Sequence, residues 1–151
     1  MRIIEERFKL TRNDPDVSEA DIAISAGEGM QDIWRYKVPV GHSLLFDNAS
    51  TFAAYLEDSA AVECAAGSLV AIDIRDADRL TTRYSLLNQL RYSQVKAFAD
   101  RDKLVRLDIA PGLRVAAEEN EWVVIKGNTL TVTLDASDSY FELACTRIRK
   151  S

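Results

Sequence analysis

The scarce residues that could carry chemistry in this chain are two cysteines, Cys64 and Cys145, and one histidine, His42. A structural zinc site wants four Cys or His ligands, usually in close pairs, and three such residues cannot supply it. The same count excludes a cupin-type metal centre, which gathers several histidines inside a barrel. A Cys–His nucleophilic pair through His42 is formally open, yet neither Val62-Glu63-Cys64-Ala65 nor Leu143-Ala144-Cys145 carries a local signature for it. Small and apolar neighbours make both thiols read as buried hydrophobes in a reducing compartment, with a disulfide between them the main competitor.

The carboxylates offer no better centre. Asp73, Asp76 and Asp78 surround one turn and could present oxygens to Ca²⁺, but the glycine and the distal Glu of an EF-hand loop are missing. Turn-forming aspartates account for them. Glu118, Glu119 and Glu121 read as a solvated rim at a strand junction. No spacing brings two carboxylates to a glycosidase separation. Gly27 and Gly29 lack the helix and lysine of a phosphate loop, and no serine sits in a GxSxG setting. Trp34, Tyr36 and Trp122 would form a sugar-binding platform if they faced outward, whereas strand aromatics ordinarily pack inward. Arg147, Arg149 and Lys150 make a basic tail able to meet an acidic partner or to guard a strand edge. The expectation is a protein without catalytic residues, metal or cofactor.

Composition sets the frame for these residues. The chain has 151 residues, 24 acidic and 19 basic side chains, and a net charge of -5. Mild acidity argues against coating nucleic acid, which needs concentrated Lys and Arg. At 47% hydrophobic and 28% charged, the chain can build one packed domain and is too short for two ordinary ones. It has no stretch near the ~20 apolar residues of a spanning helix. The start, Met1-Arg2-Ile3-Ile4-Glu5-Glu6, puts charges where a signal peptide needs its apolar core.

The elements that must position these side chains read as strands almost throughout. Residues 2–10 alternate Ile4, Glu6, Phe8 and Leu10 against Arg7 and Lys9, the pattern of an edge strand. Residues 11–30 form a long polar segment, read as a loop or extended arm, with Ile22 and Ile24 suggesting one short strand. Trp34, Tyr36 and Val38 alternate with Arg35 and Lys37, and His42 to Phe46 opens the next run. Thr51 to Glu57 fits a helical turn or a strand, and its length favours a strand. Val70, Ile72 and Ile74 mark another, closed by Asp76-Ala77-Asp78. Residues 94–107 fit a helix through Val95, Phe98 and Ala99 or two strands around an Asp100-Arg101-Asp102 turn. A strand or short turn is favoured, then a strand carrying Val105, Leu107 and Ile109. Pro111-Gly112 is a turn before Leu113, Val115 and Ala117. Gly127-Asn128 between two β-rich runs predicts a hairpin joining Glu121–Lys126 to Thr129–Leu134. Phe141, Leu143 and Cys145 line the last strand. About ten short strands with frequent turns predict an all-β, single β-sandwich of jelly-roll type. Residues 1–30 would be its N-terminal strand and arm, and 31–151 the sandwich.

The order WRYKVPVGHSLLF, TFAAYLED, SLVAIDIRDAD and RYSQVKAFADRDKLVRL, from Ile33 to Leu107, resembles the cement or decoration proteins of tailed bacteriophage capsids. The resemblance implies a jelly-roll-like virion protein made in the host cytoplasm, often trimeric, which sits on the capsid surface and bridges major capsid protein subunits. It brings no catalytic residues. Phe8, Leu10, Arg147, Arg149 and Lys150 are then the expected interface residues. Truncating residues 1–12 would be expected to abolish particle binding and leave a folded core. A carbohydrate- or receptor-binding module, including a phage tail component, is the alternative from another class.

Overall fold

The computed structural model describes residues 2–12, 17–19, 24–96, 105–130, 132–135 and 139–150, with the backbone alone for Val17–Glu19. Alternating apolar residues fold them into two antiparallel sheets. The first contains β1 (Ile3–Thr11), β4 (His42–Phe46), β5 (Thr51–Tyr55), β8 (Val105–Arg106), β9 (Val115–Ala117) and β11 (Tyr140–Lys150). The second runs in the order β2 (Val17–Glu19), β3 (Gln31–Lys37), β10 (Trp122–Asn128), β6 (Leu69–Arg75), β7 (Thr82–Arg91). One helical turn, α1 (Tyr92–Val95), follows β7. The all-β, jelly-roll-like sandwich expected from the alternation is the architecture observed.

The spine of the first sheet is β11. One of its edges pairs with β1 over nine residues, from Ile3 opposite Lys150 to Thr11 opposite Glu142. Its other edge pairs with β5 through residues 140–144 and with β4 through 146–149. Strands β4 and β5 therefore lie end to end, interrupted by the turn at Asp47–Ser50, where Ser50 N–H donates to the Asp47 carbonyl. Apolar side chains at every second position point between the sheets, because successive residues of a strand face opposite sides. Leu10, Leu44, Phe46, Phe52, Phe141 and Leu143 fill that space from the first sheet. Trp34, Tyr36, Ile72, Ile74, Val123 and Ile125 fill it from the second. The sheets meet where the Trp34 and Phe141 rings lie 4.7 Å apart between centroids.

Several sequence expectations are corrected here. Gly127-Asn128 is no hairpin: both residues end β10, which passes between β3 and β6. Gly127 is there for close packing, since a Cβ on it would lie 2.7 Å from Ile33 Cδ1. Ile33 itself sits at a β-bulge, with Trp34 opposite Ile125 and Asp32 opposite Lys126. In the 94–107 region the helical alternative holds for Val95, which ends α1, and the expected strand shrinks to the two residues of β8, which include Val105. The expected turn at residues 100–102 lies outside the described residues. Leu107 and Ile109 are buried without strand pairing, and residues 97–104 lie outside the described residues. Thr82–Arg91 forms a ten-residue strand that the alternation did not reveal. In the 11–30 segment, Val17–Glu19 pairs with β3 and Ile24 is a core residue bonded to Leu134, while Ile22 lies outside the described residues.

Candidate functional site

The expected interface residues are spread along the β1–β11 pair, from Lys150 opposite Ile3 to Leu10 opposite Leu143, and do not form a free surface. Glu6 on β1 faces Arg147 on β11 in register. Its Oε1 accepts hydrogen bonds from Arg147 Nε and Nη2 at 2.9 and 2.7 Å, and Arg149 Nε lies 2.9 Å away. The Arg147 hydrogen bonds hold the Glu6 carboxyl below the usual carboxylate range. The Arg147 guanidinium also stacks 4.3 Å from the centre of the half-buried Phe8 ring. The two arginines of the tail are thus engaged within the chain. Lys150 is exposed and donates its backbone N–H to Gly41. Leu10 is 1% exposed. It belongs to the core, so its side chain can meet a partner only if β1 leaves the sheet.

A second cluster was not singled out by sequence. Tyr92 on α1 donates to Glu63 Oε1 at 2.6 Å, and Lys96 Nζ lies 2.7 Å from the same carboxylate. The Tyr92 hydroxyl also accepts the Leu56 N–H at 3.2 Å. Burial and the Glu63 carboxylate raise the Tyr92 phenol well above its ordinary value. Burial pushes the Glu63 carboxyl up, but the hydrogen bonds from Lys96 and Tyr92 outweigh it and leave the carboxyl lowered. With Cys64, Ala66 and Ser93 these residues line a cavity of about 290 Å³. Glu63 lies 29 residues from Tyr92 and 33 from Lys96, so no local pattern links them.

The other carboxylates hold the fold. Asp73 is no turn residue: it lies in β6, nearly buried, with Lys126 Nζ at 2.6 Å. Asp78 does form the turn, accepting the N–H groups of Leu80 and Thr81 at 2.8 and 2.9 Å. Glu118 and Glu119, read as a solvated rim, accept from Ser43 Oγ at 2.6 Å and Gly41 N–H at 2.8 Å. Glu121 binds Arg83 across 38 residues and caps the Glu118 N–H. These acids fasten the 118–121 turn to the start of β4 and to β7. Among the described residues, no group of three His, Cys, Asp or Glu is placed to hold a metal ion.

The aromatic platform dissolves on inspection of burial. Trp34 and Tyr36 are each 1% exposed, and Trp122 is half-buried beneath Lys37 and Arg79. Both cysteines are free thiols. Burial pushes Cys64 up to about 11 and Cys145 up to about 12, opposite to what a nucleophile requires. His42 begins β4 opposite Arg149, while Cys145 stands opposite Phe8 farther along β11, so the strand register does not pair them.

No protein-family model matches the chain, and no curated protein does. Solved structures do. One is VP17, a capsid protein of bacteriophage P23-77, with 8% identity, a TM-score of 0.65 and coverage of 100% of both chains. Another is the VP16-VP17 complex of the two major capsid proteins of bacteriophage P23-77, with 10% identity, a TM-score of 0.64, and coverage of 97% of this chain and 99% of that one. Neither is described as a cement or decoration protein. At these identities the likeness is one of fold, and it runs from end to end: this chain has the β-sandwich of a phage capsid protein.

Proposed function

We propose that this chain is a non-enzymatic structural protein of a bacteriophage virion, acting as a β-sandwich building block of the capsid. The match to VP17 over the whole of both chains carries this reading, because that protein is a capsid protein and the likeness extends along the full length of this chain. The chemistry of the interior supports it. The carboxylates Glu6, Asp32, Glu63, Asp73 and Glu121 are engaged by basic partners in the fold, and the thiols are held protonated by burial. In a particle the work would be done by sheet edges and faces, through area and repeated copies rather than bond making.

The same likeness favours one place in the particle over another. VP17 forms a complex with VP16, the two being major capsid proteins, and this favours a subunit that lies in the shell beside a second capsid protein. The cement role, bridging major capsid protein subunits from outside, is the second reading and rests on the resemblance of residues 33–107. The two are separated by deleting the gene from the virus that encodes it and imaging the particles. Loss of closed shells identifies a shell subunit. Closed shells that burst more readily identify a cement protein. Particles of normal yield and strength, lacking the chain in their protein composition, would overturn both.

A further inference from the structure

The two sheets treat their edges unequally. In the second sheet the edge strand β2 has three residues, and in the first β8 and β9 have two and three. The remaining edge of the second sheet, β7, is long but irregular: its pairing with β6 shifts register three times, and Gln89 adopts φ 41°. Short and bulged edges are how sheets avoid joining other sheets. Strand β1 has neither protection. It runs nine residues in unbroken register with β11, and among the described residues it has no second strand neighbour.

We propose that β1 is a docking edge for a second copy of this chain, which adds its own β1 antiparallel about a two-fold axis at Glu6. The occupant is argued from charge. The exposed positions of β1 read Ile3, Glu5, Arg7, Lys9, with both signs in one row. Centred on Glu6, the pairing sets each Glu5 opposite the partner's Arg7, twice across the axis. Centring on Arg7 would oppose two arginines, and centring on Phe8 would oppose Arg7 to Lys9; like charges directly opposite are unfavourable. On the other face Ile4 meets the partner's Phe8, also twice. The two Glu6 carboxylates at the axis each keep Arg147 and Arg149, so four guanidiniums flank two acids. Glu5 has, among the described residues, an exposed contact with Arg114 at 3.1 Å to exchange for the new one. The unit of assembly becomes a pair, in place of the trimer that the resemblance implies. This pairing depends on the edge alone and stands or falls apart from the capsid reading.

The native mass of the full chain by light scattering should be twice 16.9, or 33.8 kDa. Glu5→Arg or Arg7→Glu should each weaken the dimer at least about tenfold, since each sets like charges face to face. The double variant Glu5→Arg/Arg7→Glu restores opposite charges and should restore the dimer. Unchanged circular dichroism shows that the variants remain folded. A chain carrying Glu5→Cys and Arg7→Cys should form two disulfides across the axis, because opposed antiparallel residues lie about 4.5–5.5 Å apart at Cα, within disulfide reach. A wild-type monomer at millimolar concentration, a dimer indifferent to both single reversals, or efficient cross-linking by Arg7→Cys alone would each overturn the proposal.

Discussion

Arg75 on β6 and Asp32 on β3 meet in two hydrogen bonds of 2.7 Å on the outer face of the second sheet, although β10 runs between their strands. Arg75 stands opposite Trp122, and Asp32 opposite Lys126. The guanidinium therefore crosses the row of Val124, which is fully buried. Arg35 joins Asp32 at 2.9 Å and Lys126 joins Asp73 at 2.6 Å. Ion pairs thereby cover this part of the outer face. Asp32→Ala removes the carboxylate that Arg75 and Arg35 share, at a site where Arg75 and Asp32 are 11% and 15% exposed. It leaves Arg75 with the Arg79 carbonyl at 3.2 Å and the more distant Asp73 at 3.9 Å. The expected loss is about 3 kcal/mol, at the low end for a broken buried pair. Urea unfolding measures it, and a loss below about 1 kcal/mol would mean that the pair behaves as a surface one.

The same carboxylate sets the acid limit of stability. Burial raises the Asp32 carboxyl, but the hydrogen bonds from Arg75 and Arg35 outweigh it, so the folded value lies below the ordinary one. Glu6 and Asp78 are lowered as well, by hydrogen bonds from Arg147 and from Thr81. A depressed folded value gives stability that is complete above the unfolded value and lost as pH falls through the folded one. The melting temperature should stay level from pH 7 to about 5 and fall steeply below about 4, near the unfolded carboxylate values. Asp32→Asn should make that fall shallower. A wild-type melting temperature that starts to drop above pH 6 would refute the assignment.

Gly127→Ala should destabilise the chain, since the new methyl group would meet Ile33 Cδ1 at 2.7 Å inside a full core. Overpacking of this kind costs about 1–3 kcal/mol. Ile33→Val removes Cδ1 and opens the space. The double variant should be more stable than the sum of the two single losses implies, which is the signature of direct contact. Simple additivity in a double-mutant cycle would show that the contact is not the cause.

This glycine also marks where the sequence was legible and where it was not. Strands with clean alternation, such as Phe141, Leu143 and Cys145, declare their inward face because one side is core and the other is not. Gly127 mimics a turn, because a glycine needed for positive φ and one needed for close approach look alike in sequence. Asp73 misled for a related reason: its partner Lys126 is 53 residues away, and only the sheet brings them together. Leu10 was legible as a residue of an alternating strand, but its burial in the core was not, since alternation cannot say which face another sheet will cover. The cluster of Glu63, Tyr92 and Lys96 depends on the placement of α1, which a short and weakly periodic segment does not announce.

Removal of residues 1–12 should damage the core as well as any assembly contact. Strand β1 covers a full edge of β11, and its Leu10 is buried against the sandwich. Burial of a leucine side chain contributes about 1.5–3 kcal/mol, and the half-buried Phe8 adds to it. Deletion also leaves the β11 edge from Glu142 to Lys150 without its partner, a long row of open backbone groups that invites aggregation. Leu10→Ala separates the two effects, because it removes core volume while keeping the strand. It should cost about 2–4 kcal/mol and leave the protein soluble, whereas the truncated chain should melt lower still and aggregate. A truncated chain that melts like the full one would mean that β1 is an appendage, and the edge it now covers would become the place to look for the partner.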